Sequence, residues 1–329
     1  AATLGLMPEP RRAHAAEANC GTLSTLIPRR LAAMRLLPPP SSPLRSLLAL
    51  ALCAPLLVSC ATAREDVAKA PAATASHAAA LDAAIAGDWR DPKNAARDGY
   101  RHPRETLTFF AVTPDQKVVE ITPGGGGWYT EILGPYLRER GVYTAAMVDP
   151  MAAAEGRSRD GQQKYLDDLK ARLAARPAQF DRVALRLFAP KQPSFAEPGS
   201  VDTVLTFRNV HNWVGGGTAE LYFKAFYDAL KPGGTLGVVE HRAKPGTDLD
   251  AMKKSGYLTE ELVIRLATDA GFKLDAKSEA NANPKDTADH KNGVWTLPPT
   301  NRHDPEDAAT YRAIGESDRM TLRFVKPAP

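Results

Sequence analysis

Residues 118–130 read Val118-Val-Glu-Ile-Thr-Pro-Gly-Gly-Gly-Gly-Trp-Tyr-Thr130. A short apolar run carries an acid near its end, Glu120, turns through Pro123 and four glycines, and opens onto helix-forming sequence. Glycine lets the backbone take positive φ and approach a ligand closely. In a strand–turn–helix unit the turn lies beyond the carboxyl ends of the strands, where open α/β sheets bind ligands. The dinucleotide fingerprint G-x-G-x-x-G fails here. Counted from Gly124 its third glycine falls on Tyr129, and counted from Gly125 it falls on Thr130. A phosphate-binding P-loop fails too, since no Lys follows the glycines. A tight turn that binds nothing is the remaining alternative.

Outward from this stretch the pattern alternates. Apolar runs at 117–121, 142–148, 182–188, 201–207 and 235–240 read as buried strands. Helical stretches are expected at 128–140, with Ile132, Leu133, Tyr136 and Leu137 on one face, and at 160–175, 218–230 and 259–270. Lys231-Pro-Gly-Gly234 is an exit signal for the third of these, and Thr259 and Gly271 bracket the fourth. Helices at 77–86 and 103–110 precede the alternation, and strands at 272–277 and 320–325 end it. Alternating strands and helices predict a mostly parallel sheet covered on both faces. No ten-residue helix separates the last two strands, so the final strand is expected to insert antiparallel. The connection 279–319 is rich in Asn, Pro and Asp and is expected to form a lid or a wall of the site, with Trp295 unplaced.

The acid near the strand end and the glycine turn resemble motif I of class I S-adenosylmethionine (SAM)-dependent methyltransferases. Phe207-Arg-Asn-Val-His-Asn-Trp213, Leu230-Lys-Pro-Gly-Gly234, Glu240-His-Arg242, Asn292-Gly-Val-Trp-Thr-Leu-Pro298 and the segment 314–324 are similar to an uncharacterised group of bacterial methyltransferases, many with export signals. The resemblance covers about residues 88–327. It implies an α/β, Rossmann-like sheet of seven strands with the last one reversed, and SAM as cofactor. It assigns Glu120, Pro123, Gly124, Gly125, Gly126, Asp149 and Asn209 to cofactor binding, with Glu120 facing the α-ammonium. The family carries an acid at the end of the second strand for the ribose hydroxyls. Met147 stands there instead, and Asp149 lies two residues on. Either Asp149 reaches the ribose or that contact is missing.

Methyl transfer needs alignment above all, and a general base where the acceptor is a hydroxyl. His211 and His241 are the candidate catalytic bases, because an imidazole titrates near neutrality. The alternative for each is a loop histidine bonded to backbone. Trp128 and Tyr129 either offer ring faces to the sulfonium or simply pack at a helix start. His211, His241, His290 and His303 are scattered with no ligand spacing, so no metal is expected. The absence of Asn-Pro-Pro-Tyr after the fourth strand lowers support for an exocyclic-nitrogen acceptor.

The chain of 329 residues is 43% hydrophobic with formal net charge +4. That supports one large folded domain, expected at 88–329, and gives no nucleic-acid footprint. Residues 34–60 pair a basic start with an apolar run ending in Leu57-Val-Ser-Cys60. They read as a lipoprotein-type signal with Cys60 as the lipid anchor, with plain secretion and a buried helix as alternatives. All three cysteines lie at or before Cys60. Residues 1–33 read as an upstream extension, and 61–87 as an Ala-rich tether plus first helix. Ala61 after the anchor favours the periplasmic face of the outer membrane by resemblance to enterobacterial sorting. Three functions compete: methyl transfer to a small molecule or envelope component, non-catalytic ligand binding by a lipoprotein of the same fold, and nucleotide-dependent redox chemistry. The failed fingerprint argues against the last.

Overall fold

The structure is a computed structural model and describes residues 65–328. The expected extension, signal segment and Cys60 lie outside the described residues. Among the described residues no helix is long and apolar enough to cross a membrane.

Seven strands form one sheet: β1 (Lys117–Ile121), β2 (Val142–Val148), β3 (Ala184–Phe188), β4 (Val201–Phe207), β5 (Leu230–His241), β6 (Lys273–Ser278) and β7 (Arg319–Val325). Their order is β3-β2-β1-β4-β5-β7-β6. The first five pair in parallel, and β7 runs antiparallel to both β5 and β6. The expected reversal of the last strand is therefore present, and β7 inserts between β5 and β6. This order and this single reversal define the class I methyltransferase fold.

Each strand in the middle of the sheet is covered on both sides. Val119, Ile121, Ala146 and Val204 pack with Trp213, Phe223, Phe226 and Leu266 from helices 210–215, 219–229 and 260–269. Val118, Ala145, Met147 and Leu205 pack with Leu107, Ile132, Leu133 and Leu169 on the other side. The two-residue period of the strands divides consecutive side chains between the layers. Gly237 lets β5 approach its neighbours. A Cβ there would lie 2.8 Å from both Leu205 and Phe110 side-chain atoms.

Several expectations shift. The helix at 77–86 starts earlier and spans Glu65–Ile85, so most of the Ala-rich tether is helical. Alanine has the highest helix propensity, which offsets the lack of an apolar stripe. After the helix ends at Ala229, the Pro-Gly-Gly segment does not remain a loop. β5 already begins at Leu230, and its register against β4 shifts between Val201 and Thr203, with Gly233 at φ 78°. Short helices at Val210–Gly215, Leu249–Ser255 and Ala308–Ile314 had no periodic signal because each makes fewer than two turns.

Candidate active site

The strand order reverses between β1 and β4, and a cavity of about 900 Å³ opens at their carboxyl ends. Glu120 of β1 and Thr122 just after it, Val148 of β2, Arg208 and Asn209 after β4, and His241 of β5 all line it. The glycine turn forms one wall. Gly124 takes φ 70° and Gly127 φ 51°, conformations that side chains rarely adopt. Gly125 lies against the helix Arg157–Ala175, where a Cβ would meet Asp168 at 2.8 Å. A Cβ at Gly124 or Gly126 would meet nothing within 4 Å, so these two positions are open for a ligand.

Glu120 is buried and accepts a hydrogen bond from the Tyr143 hydroxyl, which also contacts Thr130 at 2.8 Å. Burial pushes its carboxyl up to about 7, against the pull of Tyr143, Arg101 and Arg208. A buried carboxylate poised near neutrality suits a ligand ammonium, which would favour the ionised form. The raised value also fixes the sign of its effect on folding. Stability from this group is complete below the unfolded value of 4.5 and is lost as pH rises through about 7. Ligand binding runs the other way. Affinity for S-adenosylhomocysteine (SAH), which keeps the ammonium, is expected to rise about tenfold between pH 6 and 8. Calorimetric titration across that range checks this, and Glu120→Gln should flatten the dependence.

The cofactor residues expected from the sequence come together in part. Glu120, Pro123, Gly124, Gly125, Gly126 and Asn209 all line the cavity. The Asn209 amide donates to the Ile121 carbonyl at 2.9 Å and so ties the end of β4 to the end of β1. Asp149 does not join them. Its Oδ1 accepts from the Met151 amide at 2.9 Å and caps a short 3-10 turn. Met147 is buried in the core under the sheet. Neither Met147 nor Asp149 is among the residues that line the cavity. Polar groups on the nearby wall come instead from Ser158, Gln162 and Lys191.

Both candidate bases line the cavity, with ring centroids 5.2 Å apart. This corrects the view of the histidines as scattered. The fold brings this pair together, while His290 sits with Asp286 and His303 with Tyr311. Behind His211 stands Glu240, which is completely buried. One carboxylate oxygen lies 2.9 Å from His211 Nδ1 and accepts from the His241 amide at 2.8 Å, and the other accepts from the His211 amide at 3.2 Å. A carboxylate is an acceptor only, so in the neutral imidazole the proton belongs on Nδ1 and the lone pair on Nε2. The two histidines differ in environment. Burial, His211 and the arginines Arg208, Arg319 and Arg101 hold His241 well below the usual histidine range, and its Nδ1 lies 2.6 Å from the Ser317 hydroxyl. Of the two rings, His211 is the one backed by a carboxylate, and His241 is backed by a hydroxyl.

His211, Glu240 and His241 also present ligand-type atoms within 4.8 Å of one another. Nδ1 of His211 is already hydrogen-bonded to Glu240, Nδ1 of His241 to Ser317, and both Glu240 oxygens accept from amides, so a cation could be held only through the Nε2 atoms of the two rings and a shared Glu240 oxygen. Three arginines act electrostatically on His241, which disfavours a divalent cation. The arrangement fits a hydrogen-bonded imidazole–carboxylate pair.

The connection 279–319 supplies a wall. Val294, Trp295, Pro298, Pro299 and Thr300 line the cavity, and Trp295 lies 6.2 Å from His211 between centroids. Asn281 ties its start to Thr106 and Thr321, and Asp286 anchors its middle to Tyr257 and the Asp318 amide. Trp128 and Tyr129 border the cavity but mainly pack. Tyr129 stacks on Phe207 at 3.6 Å, and Trp128 lies against the guanidinium groups of Arg90 and Arg101.

No family model and no curated protein matches this chain. Solved structures resemble it in fold. A SAM-dependent methyltransferase from Aquifex aeolicus is 12% identical, covers 72% of this chain and 94% of its own, and gives a TM-score of 0.46. One from Methanosarcina mazei is 14% identical over 68% and 97%, with a TM-score of 0.43. The cyclase SpnF is 15% identical over 74% and 86%, with a TM-score of 0.48. The strand order, rather than these likenesses, defines the fold class.

Proposed function

We propose that this chain is a SAM-dependent methyltransferase acting on a hydroxyl acceptor, with His211 as general base and Glu240 as the group that positions it. The observation that carries this reading is the buried Glu240–His211 pair opening onto the same cavity as the glycine turn. Glu120 suits the α-ammonium, and the open space at Gly124 and Gly126 suits close approach of a ligand. The ribose end has no acid from β2. When bound, SAM supplies an electrophilic methyl on a sulfonium. Around it, Asn209 holds the ends of β1 and β4 together, and the 292–300 segment shields one side from water. Nε2 of His211 takes the acceptor proton as the oxygen attacks. Glu240 stabilises the imidazolium that results.

The acceptor is a small molecule or an envelope component, in keeping with the export signal and Cys60 anchor read from the sequence. The turn of Asp149 away from the cavity favours a second reading, a non-catalytic binding lipoprotein. Titration of SAM and SAH into protein lacking the first 60 residues separates the two. Binding of both supports methyl transfer, and no binding at millimolar ligand sinks it. Gly126→Val supplies the site test. The added Cβ meets no protein atom, so the variant should fold with an unchanged melting temperature. Its SAH affinity should fall at least about tenfold by steric exclusion. Undiminished affinity would count against the glycine turn as the cofactor wall.

A further inference from the structure

Four arginines meet beside this cavity, and one carboxylate answers them. Glu316 is 4% exposed and receives Arg97 Nε at 2.7 Å, Arg319 Nη1 at 3.3 Å and Arg101 Nε at 3.4 Å. Arg208 is the fourth. It follows β4 at φ 61°, lines the cavity, and among the described residues makes no ion pair within 4.0 Å. Arg97, Arg101 and Glu316 line the cavity beside it. Two donors, Arg97 Nη2 and Arg101 Nη2, are buried without any hydrogen-bond partner, and the Arg101 side chain is only 3% exposed. The crowding is felt within the cluster. Burial, with Arg208 beside it, lowers Arg101 to about 9, and burial lowers Arg208 to about 10.

A buried cation without a counter-charge is costly, and an unpaired guanidinium donor adds to the cost. The nearby carboxylates do not remove the excess. Glu120 sits near its own midpoint at neutral pH, and Glu240 is committed to His211 and two amides. SAM does not remove it either. Its carboxylate is balanced by its ammonium, and its sulfonium adds one more positive charge.

We infer that the acceptor is itself an anion, a hydroxyl compound whose carboxylate or phosphate-type oxygens sit on Arg97, Arg101 and Arg208 while its hydroxyl faces His211. This rests on the methyl-transfer reading above for the role of the hydroxyl. Guanidinium forks match such oxyanions in charge and in geometry. The same oxygens could come from the methionine carboxylate of the cofactor, and the test separates the two sources.

Inorganic phosphate is the probe, because it is small enough for the cavity whatever the acceptor's shape. Its affinity is read by calorimetry and by the rise in melting temperature against sodium chloride of equal ionic strength. Wild-type protein saturated with SAH is expected to bind phosphate. Arg208→Gln should weaken phosphate at least about tenfold and leave SAH within about twofold. Arg97→Gln, at the cavity edge, is the second variant and should act in the same direction. Without ligand, Arg208→Gln should melt no lower than wild type, because it relieves repulsion among cations. Competition between SAH and phosphate would overturn the inference, assigning the arginines to the cofactor's carboxylate. Phosphate binding unchanged in both variants, or absent at about 50 mM in wild type, would overturn it as well. Failure of SAH to bind at all would instead defeat the methyl-transfer reading. The phosphate titration of ligand-free protein would then still decide whether the arginines form an anion seat.

Discussion

His211→Ala is expected to lower kcat for methyl transfer about 10²–10⁴-fold while leaving the SAH dissociation constant within about twofold. In the proposed reaction the imidazole takes the acceptor proton, whereas the glycine turn and Glu120, elsewhere on the cavity wall, are the groups assigned to the cofactor. The rate of the variant should climb with pH, about tenfold per unit, until the acceptor ionises by itself. A residue that merely held the loop in place would not produce that rescue. Glu240→Gln should also slow the reaction, since an amide has one acceptor oxygen where three donors now meet a carboxylate. Full activity in His211→Ala, measured with the acceptor once it is identified, would transfer the base role elsewhere in the cavity.

Glu316→Ala is the variant expected to damage folding most. It leaves Arg101 and Arg319, both nearly inaccessible, facing each other and Arg97 with no counter-charge. Removing one partner of a buried ion pair costs about 3–5 kcal/mol. For a domain of this size that corresponds to a fall in melting temperature on the order of 10 °C. Urea unfolding followed by circular dichroism measures it, and a loss below about 1 kcal/mol would show that the arginines reach water instead. The pH dependence has a defined direction. Burial raises Glu316, but Arg101, Arg319, Arg97 and Arg208 outweigh it and bring the group down to about 2 from 4.5. Its contribution is therefore present above about pH 4.5 and disappears as pH falls through 2. The contrast with Arg208→Gln is informative. Both remove one charge from the same cluster, yet one loss unbalances it and the other relieves it.

These two expectations also show where reading the chain stops. The bounds of β1, β2 and β4 follow from runs of apolar residues ended by turn residues, and the observed strands match them. Glu120 and the glycine turn were visible because local backbone demands leave a local signature. His211 was visible as a polar group after a strand end. Glu240 was not, although it closes the fifth strand. Nothing in a strand's pattern reveals which side chain behind it comes within 2.9 Å of a histidine 29 residues away.

The sequence alone determined the alternating architecture, the position of the ligand crevice and the reversed last strand. Each is set by short-range periodicity, chain connectivity and turn chemistry. It also determined that β2 lacks the usual acid. Only the tertiary structure decided that Asp149 caps its own turn, that His211 and His241 meet over Glu240, and that 292–300 walls the cavity. It alone brought Arg97 and Arg101 to Glu316, more than 200 residues later in the chain. Electrostatic balance depends on distances between side chains in folded space, and linear spacing carries no record of them.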